Sequence, residues 1–199
     1  FTQGLAALGT GRLEEAVHMF RELMLLETGR GALGAIIAGR DAVMAKLNEG
    51  EAGMNLAIER QQKNYNIRTQ RGIIRFARAI MSSFEKVDPK EDCKKALDDF
   101  DNACILTPES VNARVNRANL LLFTGRFARD KGKDISPIFK MSIDELTQAI
   151  KFDESYSAAF HNRGIVHFYM GMEIARAKGD PKEHFFQAID DFSVAAHLE

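Results

Sequence analysis

Apolar residues recur along the chain at positions i, i+3, i+4 and i+7, which is the spacing of one face of an α-helix. Two stretches that share this order are Ile73, Phe76, Ala77 and Ile80, and then Ile165, Phe168, Tyr169 and Met172. Each is followed by a second stretch of helical spacing, around residues 96–104 and 188–196, and Gly or Pro residues stand between the stretches. The pattern predicts ten helices in five antiparallel pairs and no β-hairpin.

The predicted helices repeat with a fixed step. Gly72, Ala118 and Gly164 are 46 residues apart, and several other features keep the same step. These features are Phe100, Leu146 and Phe192; Ala103, Ala149 and Ala195; and the acidic pairs at 98–99, 144–145 and 190–191. Because one step relates so many different features, the sequence predicts a repeat protein.

The first third of the chain follows a shorter step of 34 residues, as from Gly4 to Ala38. A single domain of residues 1–199 therefore divides into approximate repeats 1–30, 31–64, 65–110, 111–156 and 157–199. The later repeats carry 12 extra residues each. We expect these residues in a lengthened first helix and a longer turn between the two helices of a repeat.

The residues at fixed places in the repeats point to a family. The fifth repeat carries Phe160-x₂-Arg163-Gly164-x₂-His167 and then Ala188-x₃-Phe192, and the third carries Arg71-Gly72, Ala96-x₃-Phe100 and Pro108. This order resembles the tetratricopeptide repeat, whose period is 34 residues. The resemblance implies an all-α fold, a right-handed α-solenoid of antiparallel helix pairs. A step of 46 residues alone also suits HEAT-type repeats, but the small residues and the Ala-x₃-Phe placement favour the tetratricopeptide repeat.

The resemblance also implies structural roles for the repeated positions. Gly72, Ala118 and Gly164 lack bulk where the partner helix crosses, so that the two backbones approach to the short end of the usual 8–10 Å range. Ala96 and Ala188 serve the same crossing from the second helix, and Phe100 and Phe192 fill the space between one pair and the next. Pro108 follows the second helix of the third repeat.

One face of each first helix is the candidate binding surface, because members of the family turn this face toward a concave groove. The matching positions here are mostly amides: Asn66, Gln70, Asn112, Asn116, Asn119, His161 and Asn162. Asn lowers helix propensity, and its amide can bind the backbone of an extended peptide through both donor and acceptor. The alternative is that these positions are simply solvated. Co-chaperone members clamp a terminal carboxylate with basic residues on this face, whereas Val115 and His161 stand at those places here.

Composition excludes several function classes. Lys and Arg total 27 and Asp and Glu total 28, so the net charge of −1 does not favour a nucleic-acid partner. No run approaches the roughly 18 apolar residues that span a bilayer, so membrane insertion is not expected. Cys93 and Cys104 have no CxxC motif and are interpreted as buried thiols in a reducing compartment, which favours the cytoplasm.

The sequence gives no support for catalysis. The five His residues are scattered without metal-ligand spacing, and no phosphate-binding, nucleophile-elbow or dinucleotide motif is present, so neither a metal nor a cofactor is predicted. The repeated acidic pairs recur with Arg71, Arg117 and Arg163. We interpret them as ion pairs between the two helices of a repeat rather than as metal ligands.

The sequence therefore predicts a non-catalytic scaffold that binds a peptide or a partner helix in its concave groove. Two alternatives stay open: a stacking subunit of a large assembly that packs through its insertions and ends, and the helical arm of an enzyme whose catalytic domain lies outside this chain. Since Phe1 already falls inside a predicted helix and no polar capping helix follows the last repeat, we expect the chain to be a segment of a longer protein.

Overall fold

The computed structural model describes residues 30–84 and 86–198, with side chains from Asp41 onward. The predicted first repeat, with Gly4, lies outside the described residues. The described residues form seven α-helices and contain no strand, which confirms the all-α class. The helices are α1 (Arg30–Arg60), α2 (Tyr65–Phe84), α3 (Lys90–Leu106), α4 (Val111–Asp130), α5 (Ser136–Phe152), α6 (Ser157–Arg176) and α7 (Lys182–Leu198).

The bounds of six helices repeat with the step found in the sequence. Helices α2, α4 and α6 each have 20 residues and begin 46 residues apart, and α3, α5 and α7 each have 17 residues and keep the same step. Gly72, Ala118 and Gly164 therefore occupy the same place in their helices. In each of these repeats a first helix of 20 residues is followed by a turn and a second helix of 17 residues.

The second repeat differs from the prediction. Two helices were expected within residues 31–64, but α1 is one continuous helix of 31 residues. The reason is that residues 31–60 contain no Pro and their Gly residues stand singly. A single Gly in a helix costs only about 1 kcal/mol, which does not end a helix that is otherwise rich in Ala, Leu and Met.

The chain forms two compact units, and among the described residues the first ends at Thr107 and the second begins at Pro108. In the first unit α2 packs against both α1 and α3. In the second unit each helix packs against the next one along the chain, and α6 also contacts α4. Phe76 and Phe100 are fully buried in the first unit, as are Phe139 and Leu146 in the second.

The small residues meet aromatic rings within each helix pair. A Cβ atom on Gly72 would lie 2.6 Å from Cε1 of Phe100, and one on Gly164 would lie 2.8 Å from Cε1 of Phe192. The rings of Phe100 and Phe192 thus contact the glycine of their own pair, whereas the expectation that they fill the space between neighbouring pairs stays a prediction. Ala96 and Ala188 are also buried.

A second series of the same contact was not predicted. A Cβ atom on Gly125 would lie 2.5 Å from the ring of Phe139, and one on Gly171 would lie 2.6 Å from the ring of Phe185. These two contacts are again 46 residues apart. Each helix pair of the second unit is therefore closed near its connecting turn by a ring that only glycine accommodates.

The turns between paired helices also repeat. Lys86, Gly132 and Lys178 follow the first helices and have φ of 60°, 72° and 60°. The next residue in each turn donates its backbone N–H to the carbonyl five residues earlier, as a Schellman motif requires: Val87 to Ser82, Lys133 to Ala128 and Gly179 to Ile174. The second helices then begin after carboxylates that accept a backbone N–H two residues on, at Asp88, Asp134 and Asp180.

Candidate binding site

In the first unit the predicted groove residues lie at the start of α2. Asn66 and Gln70 are exposed, and Thr69 between them is buried with its Oγ1 donating to the carbonyl of Tyr65 at 2.9 Å. The side chain of Asn64 caps this helix, because its Oδ1 accepts the N–H of Asn66 at 3.1 Å. Asn66 and Gln70 thus lie in the first two turns of α2 with their side chains exposed to a ligand.

In the second unit three of the predicted residues are buried. Asn116, Asn119 and Asn162 are 0%, 1% and 0% exposed, whereas Asn112 and His161 are half-buried. Asn116 donates from Nδ2 to the backbone carbonyl of Asn112 at 2.9 Å and to its Oδ1 at 2.7 Å. The expectation that these three amides line an open surface is therefore corrected, since a ligand does not reach them in this arrangement.

The reason lies in what an asparagine does inside a helix. Its amide can hydrogen-bond the carbonyl four residues earlier, as Asn116 does, so a low helix propensity is not by itself a sign of a surface role. The ring of His161 lies 5.6 Å from the ring of Phe192, centroid to centroid. The candidate binding residues that a ligand can contact are then Asn66, Gln70, Asn112 and His161.

The repeated arginines pair with the repeated acids, as predicted. The three ion pairs join the two helices of each repeat: Arg71 with Asp99 at 2.5 Å, Arg117 with Glu145 at 2.6 Å, and Arg163 with Asp191 at 2.6 Å. They are less exposed than a surface pair, because the side chains of Asp99 and Asp191 are 2% and 7% exposed. These acids therefore serve to join helices, and no metal is needed to explain them.

In the first unit the ion pairs extend to α1. Glu51 of α1 contacts Arg75 at 2.7 Å and Arg78 at 2.5 Å, and Arg78 also contacts Asp92 of α3 at 2.6 Å. Burial alone raises the pKa of Glu51, but the hydrogen bonds from Arg75 and Arg78 outweigh it and hold this pKa below its ordinary value. Glu51 is thus ionised and anchors α1 to α2.

A pair of histidines in the second unit was missed, because the two residues lie on different helices. Nδ1 of His167 on α6 and Nδ1 of His184 on α7 are 2.9 Å apart, so that one ring donates and the other accepts. Burial lowers the pKa of His167 to about 4; Asp191 opposes this shift, and His184 and Arg163 add to it. His167 is therefore neutral at neutral pH and links the two helices.

Two observations concern metal binding and the reactivity of Cys93. No group of three or more His, Cys, Asp or Glu residues in the described part of the chain is placed to hold a metal ion. Burial, with the charges of Asp92 and Asp88, raises the pKa of the Cys93 thiol to about 12, so this thiol is not a nucleophile at neutral pH. None of the described helices is both long and apolar enough to cross a membrane.

Two comparisons with known proteins were made. No protein-family model matches the chain. No curated protein matches it either.

Proposed function

We propose that this protein is a non-catalytic scaffold for protein–protein interaction that binds an extended peptide or a partner helix. In this proposal consecutive helices run antiparallel and form a right-handed solenoid of the tetratricopeptide type, and the protein acts in the cytoplasm. One observation carries it: the same helix pair, with the same Arg–acid pair at the same places, is built three times, at Arg71, Arg117 and Arg163.

Repetition of this kind supports binding more than chemistry. In the first and the last of these helix pairs, the buried charges and the aromatic rings hold one helix against the other. Other side chains on the first helices differ from repeat to repeat. Among these side chains, a ligand can contact Asn66, Gln70, Asn112 and His161. Their amides and imidazole match the alternating donors and acceptors of a peptide backbone.

The test is selection of ligands from a random peptide library displayed on phage, followed by fluorescence titration of the selected peptides. We expect peptides whose binding weakens about three- to tenfold in Gln70→Ala, Asn112→Ala or His161→Ala. Gln187→Ala is the matched control, because Gln187 is exposed on a second helix. Selected peptides that bind all of these variants equally, or a library that yields no binder, would contradict the proposal.

A further inference from the structure

A cavity of about 240 Å³ lies in the second unit, between the turn that joins α4 to α5 and the C-terminal end of α6. Ile135 on the turn and Met170 on α6 are 3% and 5% exposed and form apolar walls. The wall on α6 continues through Glu173, Ile174 and Ala177. These spacings of three and four residues place the α6 side chains of the wall on one face of the helix.

The wall opposite α6 is fixed by hydrogen bonds within the turn. Lys133 donates its backbone N–H to the carbonyl of Ala128 at 3.2 Å, and Ser136 donates its backbone N–H to Oδ1 of Asp134 at 3.0 Å. The buried side chain of Ile135 stands between these two bonds. The cavity is therefore formed before a ligand enters, which lowers the entropic cost of binding.

One carboxylate oxygen in the cavity wall is buried without a hydrogen bond. Oε2 of Glu173 accepts a hydrogen bond from Nη1 of Arg176 at 3.1 Å, whereas Oε1 has no hydrogen-bond partner. Nη1 of Arg176 lies 3.0 Å from Oε1 but without the direction of a hydrogen bond, and Nη1 of Arg129 is too far away at 3.8 Å. Because buried acceptors in proteins almost always have a donor, Oε1 points to a donor that a ligand can supply.

From this cavity we infer a binding site for a small phenol, supplied either as a free phenol or as the side chain of a tyrosine in another protein. The aromatic ring lies between Ile135 and Met170, and its hydroxyl donates to Oε1 of Glu173. The thioether of Met170 contributes a sulfur–aromatic contact. The volume corresponds to about eight water molecules of about 30 Å³ each, which is room for one ring with its substituents.

The charges around the cavity favour a neutral donor. Three cations, Arg129, Lys133 and Arg176, already surround the carboxylates of Glu173 and Asp134. A further cation is therefore repelled, and an anion meets the buried carboxylate of Glu173. A phenol donates one hydrogen bond without adding charge, and its ring covers the apolar walls.

The residues of this site are not required by the repeat. In α4, 46 residues earlier, Phe127 stands at the place of Glu173 and Thr124 at the place of Met170. Neither the carboxylate nor the thioether therefore serves the packing that the repeats share. The sequence has three Tyr residues, and none of them borders the cavity, so the phenol is not one of the 199 residues.

The experiment is a titration of the whole chain with p-cresol, followed by nuclear magnetic resonance chemical shifts. We expect saturable binding with a Kd of about 1 mM, and about tenfold weaker binding of toluene, which has the same ring and methyl group but no hydroxyl. Glu173→Ala should remove this difference between the two ligands. Ala177→Trp should abolish binding by filling the cavity. Ala175→Trp is the matched control, because Ala175 is exposed on α6 and does not border the cavity.

The same titration with N-acetyltyrosine amide separates the two sources of the phenol. Binding at least as tight as that of p-cresol assigns the site to a tyrosine side chain, and weaker binding assigns it to a free phenol. Asn112→Ala should leave these titrations unchanged, which separates this site from the proposed groove.

Three results would overturn the inference. The first is that p-cresol does not bind saturably, and the second is that p-cresol and toluene bind the unchanged chain equally. The third is equal binding of p-cresol by Ala177→Trp and Ala175→Trp, with both variants folded as judged by circular dichroism.

Discussion

The backbone of Gly164 lies so close to Phe192 that a Cβ atom on residue 164 would stand 2.8 Å from Cε1 of the ring and 3.2 Å from the carbonyl oxygen of Ala188. A side chain at this place must displace a buried ring or a helix backbone. The contact between α6 and α7 therefore depends on glycine as much as on phenylalanine.

Gly164→Leu tests this contact. The substitution overpacks the crossing of α6 and α7, so we expect a loss of about 1–3 kcal/mol or more in the free energy of unfolding, measured in urea. Gly53→Leu is the control, because a Cβ atom on Gly53 meets nothing within 4 Å. That variant should be neutral or slightly stabilised, since Leu is the better helix former. Equal loss in both variants would count against the contact.

The second glycine–aromatic series makes a prediction for the first unit, where its equivalents are Ala79 and Cys93, both buried. A larger residue has replaced glycine, and a smaller one has replaced phenylalanine. Cys93→Phe alone should therefore cost about 1–3 kcal/mol by overpacking. Adding Ala79→Gly should recover part of that loss, so that the double-mutant cycle shows a coupling of about 1 kcal/mol. Strict additivity would show that residues 79 and 93 do not meet.

The left-handed turn residues predict a stabilising change. Lys178 has φ 60° where the equivalent residue is Gly132. A non-glycine residue pays roughly 1 kcal/mol for this conformation, so Lys178→Gly should raise the free energy of unfolding by about 0.5–1 kcal/mol. In Lys131→Gly, where φ is −94°, the same substitution should be neutral or destabilising. A loss of stability in Lys178→Gly would contradict the turn geometry.

The contribution of the Arg163–Asp191 ion pair to stability can be tested directly, because a buried and an exposed aspartate are adjacent in the sequence. Asp191 pairs with Arg163 at 2.6 Å and its side chain is 7% exposed, whereas Asp190 beside it is exposed. Asp191→Ala leaves a partly buried guanidinium without its partner and should cost about 2–3 kcal/mol. Asp190→Ala should change stability by less than about 0.5 kcal/mol. Similar effects from both substitutions in thermal unfolding would rule out a structural role for the pair.

The histidine pair predicts a pH dependence. The pKa of His167 is about 4 in the folded chain and 6.5 when unperturbed. Between these values the unfolded chain binds the proton and the folded chain does not, so stability falls as the pH is lowered from about 6.5 to about 4, by about 2 kcal/mol. The slope decreases above pH 6.5 and is absent above about pH 7.5, where neither state binds the proton.

The matched variant for this test is His167→Leu, since the equivalent residue of α4 is the buried Leu121. The free energy of unfolding of the wild type and of the variant is measured from pH 7 to pH 4. The difference between the two should change with pH by the amount given above, because only the wild type has His167. A difference that stays constant over this range would show that His167 titrates normally in the folded chain.

The 46-residue period of the fold could be predicted from the sequence because helix packing restricts the residue type at fixed positions of each repeat. Glycine or alanine at 72, 118 and 164 reports a close helix crossing, and the arginine before each of them reports an ion pair 28 residues on. Each of these constraints acts on one residue per repeat, so it is visible in the sequence as a residue type that recurs with the period. The continuous helix α1 could not be predicted, because an isolated glycine lowers helix stability both within a helix and at its end and does not distinguish the two.

The candidate site was predicted less well, for a physical reason. Asn116 and Asn162 were expected on a binding surface because of their amides and their place on the first helices, yet both are buried. Polarity does not distinguish an amide that binds a ligand from one that is satisfied within its own helix, as Asn116 is in part by Asn112. His167 and His184 come into contact only because α6 packs on α7. Their spacing along the sequence therefore does not indicate that they form a pair.

The central claim is that one helix pair is repeated along residues 65–198, each pair closed by the same contacts. Nuclear magnetic resonance measures it most directly, through nuclear Overhauser contacts between glycine Hα protons and phenylalanine rings. We expect cross peaks from Gly72 to Phe100 and from Gly164 to Phe192, with ring-current shifts of both Hα signals. Helices with the observed bounds but without either cross peak would contradict the repeated packing.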